Sequence, residues 1–273
     1  MRQLHEAFPH RDPTTLRETE VLDFLISLRQ KRRLKDSTVN QAVCALRAFY
    51  RDHLGRKWRG WSRIKIRRDE QLPNVLSREE VARFLGAVRE GRFRAVFTLM
   101  YHCGLRLGEA IHLKPGHIDA SRGVIRIVGG KGGRDREVPV SAELVERLRA
   151  FWKRHRNPEW LFPSPGRGWK SAGATLPDAL RRSSKPMSDS SVQAAMRATV
   201  LSLGWDRRTG HRPVTCHTLR HCFATHLLDA GVSIRLVGQY LGHASLKPTL
   251  VYLHLTEASE SKAREVLAHF PGL

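Results

Sequence analysis

Between residues 215 and 256, His217, Arg220, His243 and Tyr252 recur at spacings that can gather them in one place. On a helix, His217, Arg220 and His221 stand at i, i+3 and i+4 and share a face. Gly231 and Gly242 each follow a short apolar run, as helix C-caps do, so short helical pieces would fold the set back on itself. Arginine offers a planar fork of donors that matches phosphate oxygens and stays charged at any relevant pH. Histidine hydrogen-bonds a phosphate or moves a proton near neutrality. Tyrosine is a covalent nucleophile that needs help, because its free pKa is about 10. Together they describe attack on a phosphodiester by a tyrosine hydroxyl. Taken singly, each is an ordinary surface or core residue; the order and spacing carry the reading.

The segments His217-Thr218-Leu219-Arg220-His221 and Leu241-Gly242-His243, with Tyr252 nine residues on, resemble the C-terminal signature of the tyrosine recombinases. That family includes phage integrases, Xer-type recombinases and transposon integrases. The resemblance predicts partners upstream. Cys103-Gly104-Leu105-Arg106-Leu107-Gly108-Glu109-Ala110 is similar to the family's first arginine motif, with Arg106 as phosphate ligand. Glu109, at i+3, is placed to hold the arginine head from behind. Lys131, in Gly129-Gly130-Lys131-Gly132-Gly133, matches the family's catalytic lysine at a hairpin tip. A Walker loop is excluded there, since no Gly, four residues, Gly-Lys-Ser/Thr pattern is present.

The resemblance implies a DNA strand-exchange enzyme. Tyr252 attacks a backbone phosphate, forms a 3′-phosphotyrosyl link and frees a 5′-hydroxyl. Arg106 and Arg220 brace the non-bridging oxygens, His217 accepts the tyrosine proton, His243 is a further phosphate donor and Lys131 protonates the leaving oxygen. It also implies no cofactor, no ATP and no metal, since two arginines neutralise the charge. The implied partners are double-stranded DNA carrying an inverted-repeat core site and other copies of the chain, assembled as a tetramer at synapsis.

Composition agrees with a polyanionic partner: 48 Lys+Arg stand against 26 Asp+Glu, a net charge of +22. A ribosomal or membrane-surface protein is equally basic, so charge alone does not choose. Residues 1–68 hold 17 Lys+Arg and 7 Asp+Glu, nearly half of the net charge. Arg56, Lys57, Arg59, Arg63, Lys65, Arg67 and Arg68 form a run without an acidic residue, and Trp58 and Trp61 lie among them. Such interleaving suits a nucleic-acid surface, although the tryptophans also suit a core. Cys44, Cys103, Cys216 and Cys222 lack paired-ligand spacing and read as reduced thiols of a cytoplasmic protein, associated with the nucleoid when active. No apolar run approaches about 18 residues, so membrane insertion is not expected.

The elements that must position these residues are mainly helical. The resemblance assigns residues 1–66 to a small all-α unit that binds core DNA and 76–273 to an α+β catalytic domain with a β-hairpin, and 67–75 read as the linker. In the first unit, Thr15 with Glu18 forms a capping box for a helix over 15–30, and Ser37 caps a second over 37–52. Residues 1–13 carry two prolines and no apolar periodicity. The unit is therefore expected to lack one helix relative to the family, either as a short form or because the start lies upstream. In the second unit, Ser77 with Glu80 makes another capping box, and helices follow over 91–103, 141–156 and 192–203. Val124–Val128 and Arg136–Val140 are the hairpin strands. The Pro/Gly/Ser-rich segment 157–187 reads as a variable loop with little fixed structure. A final amphipathic helix is expected over 257–269, of the kind that in this family docks on a neighbour.

Three other readings compete. A catalytically silent DNA-binding regulator shares the charge without needing all six residues. A type-IB topoisomerase shares the chemistry without pairing two sites. A zinc site built from His217, His221, Cys222 and His226 would need side chains at i, i+4 and i+9 on one face, which a helix does not provide.

Overall fold

In the computed structural model, residues 2–30, 34, 36–62, 64, 72–129, 135–166, 168, 169, 171, 173–205 and 213–253 are described. The chain divides into two compact units, Met1–Gln71 and Leu72–Leu273. It is mostly helical, with one small antiparallel sheet.

In the first unit, α1 (Arg2–Ala7), α2 (Glu18–Gln30) and α3 (Asp36–Arg47) surround a core of Leu4, Val21, Leu25, Leu28, Val39, Leu46 and Tyr50. A turn of π-helix, Ala48–His53, extends α3 and turns the Tyr50 ring fully inward. Two expectations are corrected here, and one open reading is decided. The stretch without periodicity contains α1, whose Leu4 is 1% exposed; six residues are too few to show a helical period, yet one buried leucine suffices to anchor them. The capping box at Thr15 and Glu18 does not form. Instead Asp12 accepts the Thr14 N–H, Glu20 accepts the Arg17 N–H, and Glu18 turns to the Gly60 N–H. Trp61 is buried in the core, and the half-buried Trp58 packs against it, stacking on Tyr50 at 4.4 Å and on Trp61 at 5.8 Å between ring centroids.

The second unit is built around α5 (Gly91–Cys103), whose Val96, Phe97, Leu99, Met100 and Cys103 are completely buried. Ahead of it, Ser77 and Glu80 close a reciprocal capping box on α4 (Arg78–Ala87). After it, α6 (Leu107–Ile111) leads into a sheet of β1 (Ile118–Asp119), β2 (Val124–Ile127) and β3 (Arg136–Pro139), ordered β1-β2-β3. Ile125 pairs with Val138 and Ile127 with Arg136, so the buried positions of both strands face the core together. Helices α7 (Ala142–Lys153), α8 (Leu176–Arg181) and α9 (Asp189–Ser202) follow. The chain then enters α10 (Cys216–Asp229), α11 (Ile234–Leu241) and α12 (Lys247–Leu250).

The described part of segment 157–187 has fixed structure, against expectation. Asn157 is completely buried and its amide donates to the carbonyls of Leu180 (2.7 Å), Arg181 (3.2 Å) and Ser183 (2.8 Å). Its Oδ1 accepts the N–H groups of Glu159 and Trp160. One side chain therefore satisfies a loop that composition alone marks as irregular. The basic turn 31–35, apart from Leu34, and the helix expected over 257–269 lie outside the described residues.

Candidate active site

Helix α10 carries the site because it is held on both sides. It packs on α5, with Leu219, Cys222 and Ala224 completely buried. Its second half grips the start of the unit: the Leu76 N–H donates to Cys222 Sγ at 3.2 Å, and the Leu76 carbonyl lies 3.0 Å from His226 Nε2. His226 Nδ1 then meets the Tyr101 hydroxyl at 2.9 Å. Cys222 and His226 thus fasten the entry segment, away from the zinc role weighed for them.

The first half of α10 presents Arg220, which is 4% exposed. Its Nη1 donates to the Gly104 carbonyl and its Nη2 to the Leu241 carbonyl, both at 2.6 Å. Those carbonyls are the orphan acceptors at the ends of α5 and α11, so one arginine caps two helices. Gly104 is required twice over. Its φ is +60°, and a Cβ there would lie 2.3 Å from the Phe223 ring of α10.

Arg106 stands at the N-cap of α6. Glu109 takes its backbone N–H at 2.8 Å through Oε2 and its guanidinium Nη1 at 2.8 Å through Oε1. The same carboxylate receives Arg136 at 3.0 and 2.7 Å, and Arg220 Nη1 stands 3.9 Å from it. Burial would raise the Glu109 pKa, but hydrogen bonds from Arg136 and Arg106 outweigh it and bring it to about 2. Three arginines around one permanent carboxylate leave a net positive hole. Burial, with Arg106 adding repulsion, pushes Arg220 down to about 10, so it stays charged at neutral pH.

His243 follows Gly242, the left-handed cap of α11. Arg220 Nη2 lies 3.3 Å from His243 Nε2, and His243 Nδ1 lies 2.8 Å from Thr249 Oγ1. A guanidinium only donates, so His243 accepts at Nε2 and carries its proton at Nδ1, toward Thr249. Burial, followed by Arg220 and Arg106, lowers the His243 pKa to about 4. In this arrangement its Nε2 faces Arg220 as an acceptor, and donation to a phosphate from that atom needs the other tautomer or the protonated ring.

Tyr252 lies just past α12, 3% exposed, in a cluster with Phe223, Val237 and Leu241. Burial raises its pKa, against the pull of Arg220 and Arg106. Its hydroxyl is 2.9 Å from His221 Nδ1. Burial, followed by His217 and Arg220, lowers His221 to about 4. The expectation that His217 takes the tyrosine proton is thus not met by this arrangement, in which His221 makes the bond. His217 is exposed and shares with Arg106 a cleft of about 620 Å³ that also reaches Gln193 and Arg197 of α9.

Arg106, Glu109, Arg220 and His243 therefore converge, and Tyr252 lies within electrostatic reach of Arg220 and Arg106. Lys131 lies outside the described residues, as do Arg63, Lys65, Arg67 and Arg68. Arg56 is turned away from the nucleic-acid role expected of it. It donates to the carbonyls of Leu16 (2.6 Å) and Thr14, and lies over the Tyr50 and Trp58 rings at 5.6 and 5.4 Å. Lys57 and Arg59 are exposed. Sequence reading missed Arg136, Thr249 and the bond of His221 to Tyr252. Arg136 had one signal, a charge at an inward strand position.

The phage integrase family model matches residues 74–259, and the phage integrase N-terminal SAM-like domain matches residues 2–60. A putative integrase/recombinase y4qK of Sinorhizobium fredii is 36% identical over 245 residues, which is 89% of this chain and 72% of that protein. The tyrosine recombinase XerA of Thermococcus kodakarensis is 35% identical over 248 residues, covering 89% of this chain and 79% of its own length. A XerH site-specific recombinase solved with a palindromic difH substrate shares the fold, with a TM-score of 0.67 and 20% identity, over 98% of this chain and 77% of that one. Together with the helical fold and its arginine-centred site, these matches establish that the chain belongs to the phage integrase family of tyrosine recombinases.

Proposed function

We propose that this recombinase cleaves and rejoins DNA strands through a 3′-phosphotyrosyl intermediate, without ATP or metal. The observation that carries the reading is the convergence of Arg106, Arg220 and His243 beside a tyrosine whose hydroxyl lies 2.9 Å from His221 Nδ1. A phosphodiester entering the positive hole meets donors that are fixed before it arrives, the arrangement that stabilises charge as it builds on phosphorus. Tyr252 Oη attacks phosphorus, its proton passes to His221 Nδ1, and the bond from phosphorus to the 5′-oxygen breaks. Lys131 is assigned the proton that this leaving oxygen needs. His217, on the exposed side near Arg106, is assigned to the phosphate, and His243 joins as a donor once the anion raises its pKa. The 5′-hydroxyl of a second duplex reverses the steps, so bond energy stays in the protein–DNA link.

Residues 1–66 are assigned to core DNA and 76–273 to catalysis, joined by the linker 67–75. The partner is a duplex with an inverted-repeat core site, bound by several copies of the chain and by four at synapsis. The XerH neighbour, whose structure holds a palindromic substrate, supports the symmetric site.

The test is a nicked suicide duplex built on inverted repeats found beside the gene. The wild-type chain should form a covalent adduct that denaturant does not remove. Tyr252→Phe should form none while binding the duplex as before. Adducts that persist in Tyr252→Phe would move the nucleophile to Tyr240 or Tyr101. Tight binding without adducts in the wild type would favour a silent regulator.

A further inference from the structure

Arg136 opens β3, five residues after Lys131, at a position whose neighbour on the same strand face is the buried Val138. A guanidinium there must be fully partnered, because a lone buried charge is costly. Its side chain is 6% exposed and reaches two other elements, α6 and α11. Nη1 and Nη2 donate to the two oxygens of Glu109 in α6 at 3.0 and 2.7 Å. Nε donates to the Tyr240 carbonyl at 2.7 Å, near the end of α11. Gly242, whose φ is +66°, passes so close that a Cβ would lie 3.0 Å from Arg136 Cδ. One side chain thus ties the base of the hairpin to the turn before His243 and to the carboxylate behind Arg106.

The effect on Arg106 is a competition for oxygens. An arginine left alone with a carboxylate tends to take both oxygens in a parallel fork. Arg136 already holds both, and Arg106 bonds the Glu109 side chain through Nη1 alone. Among the described residues, Arg106 Nε and Nη2 make no hydrogen bond, and the side chain is 26% exposed. We propose that Arg136 is a positioning residue that, by occupying both oxygens of Glu109, keeps part of the Arg106 fork available to the scissile phosphate. The idea rests on the strand-cleavage reading above.

Single-turnover adduct formation, duplex affinity and melting temperature test it together. Lysine cannot reproduce the bidentate fork, so Arg136→Lys should slow adduct formation by about 10²-fold, the loss typical of one misplaced preorganised donor. Duplex affinity should change by less than about threefold, because the effect falls on the reacting state. Glu109→Gln removes the charge that competes for Arg106. In that background Arg136→Gln should add less than about twofold, a strong departure from independence. An Arg136→Lys protein that folds and reacts at the wild-type rate overturns the proposal, as does full multiplication of the Glu109→Gln and Arg136→Gln losses. If Arg136→Lys fails to fold, the paired amides decide the question, since they remove the Arg136 charge together with the carboxylate it faces. A wild-type chain that binds DNA without a Tyr252-dependent adduct sinks the strand-cleavage reading and this proposal with it. Normal wild-type adducts with indifferent Arg136 variants overturn this proposal alone.

Discussion

Two arginines, Arg220 and Arg56, show how differently one chain uses the same side chain. Both sit against backbone carbonyls, Arg56 within a basic run and Arg220 as the one Lys or Arg between residues 213 and 229. Arg220 caps α5 and α11, yet it stands with Arg106 and Arg136 around a single carboxylate, so positive charge remains in excess. Arg56 caps loop carbonyls and stacks on Tyr50 and Trp58, with no carboxylate and no second arginine in those contacts. A count of basic residues weighs the two alike. Their surroundings make one a candidate for chemistry and the other a fastening for a small core.

The comparison breaks first if the cluster around Glu109 is not special. Arg106→Ala and Arg220→Ala should each lower the single-turnover cleavage rate by about 10²–10³. Arg56→Ala should leave the rate per bound complex unchanged. Equal losses for all three would erase the distinction.

A smaller effect concerns stability. Arg56→Ala leaves the Leu16 and Thr14 carbonyls without their donor and should destabilise the first unit by about 1–3 kcal/mol, read from its denaturant midpoint. Lys57→Ala should leave that midpoint in place. It should make the log–log salt dependence of duplex binding shallower by about 0.9, one phosphate contact, provided Lys57 faces DNA. If Arg56 and Lys57 exchange these behaviours, the assignment of Arg56 to the fold is wrong.

The mildest probe is pH. His221 and His243 are held neutral in the fold, each with a pKa lowered to about 4, below the ordinary histidine value. The unfolded chain therefore binds more protons than the folded one between about pH 6.5 and pH 4, and stability falls as pH falls through that window. Glu109, lowered to about 2, adds a further loss below its ordinary value of 4.5. In the first unit the lowered groups are the carboxylates Asp12, Glu20 and Asp52, whose loss is confined to more acid conditions. Hydrogen exchange at pH 7 and pH 5, corrected for intrinsic rates, should show α10 loosening while α3 stays protected. Equal loosening of both helices would remove the link to the two histidines.

Much of this was legible in the chain itself. The capping box at Ser77, the apolar stripes of α4, α5 and α9, the glycine caps at Gly231 and Gly242 and the hairpin strands are local signals, fixed by backbone geometry and burial periodicity over a few residues. The spacing of His217, Arg220, His243 and Tyr252 belongs with them, because helix pitch and short turns bound how far apart such residues can lie. What the chain alone left open is which atom meets which. Whether Tyr252 bonds His217 or His221 depends on how α12 returns over α10, and whether Arg56 faces DNA or Tyr50 depends on the packing of a loop. Asn157 ordering residues 159–183, and Arg136 reaching Glu109 across 27 residues, are likewise decided by long-range closure. Buried donors and acceptors must be satisfied by whatever the fold brings within 3 Å or so, and sequence spacing carries no information about partners that only tertiary packing makes adjacent.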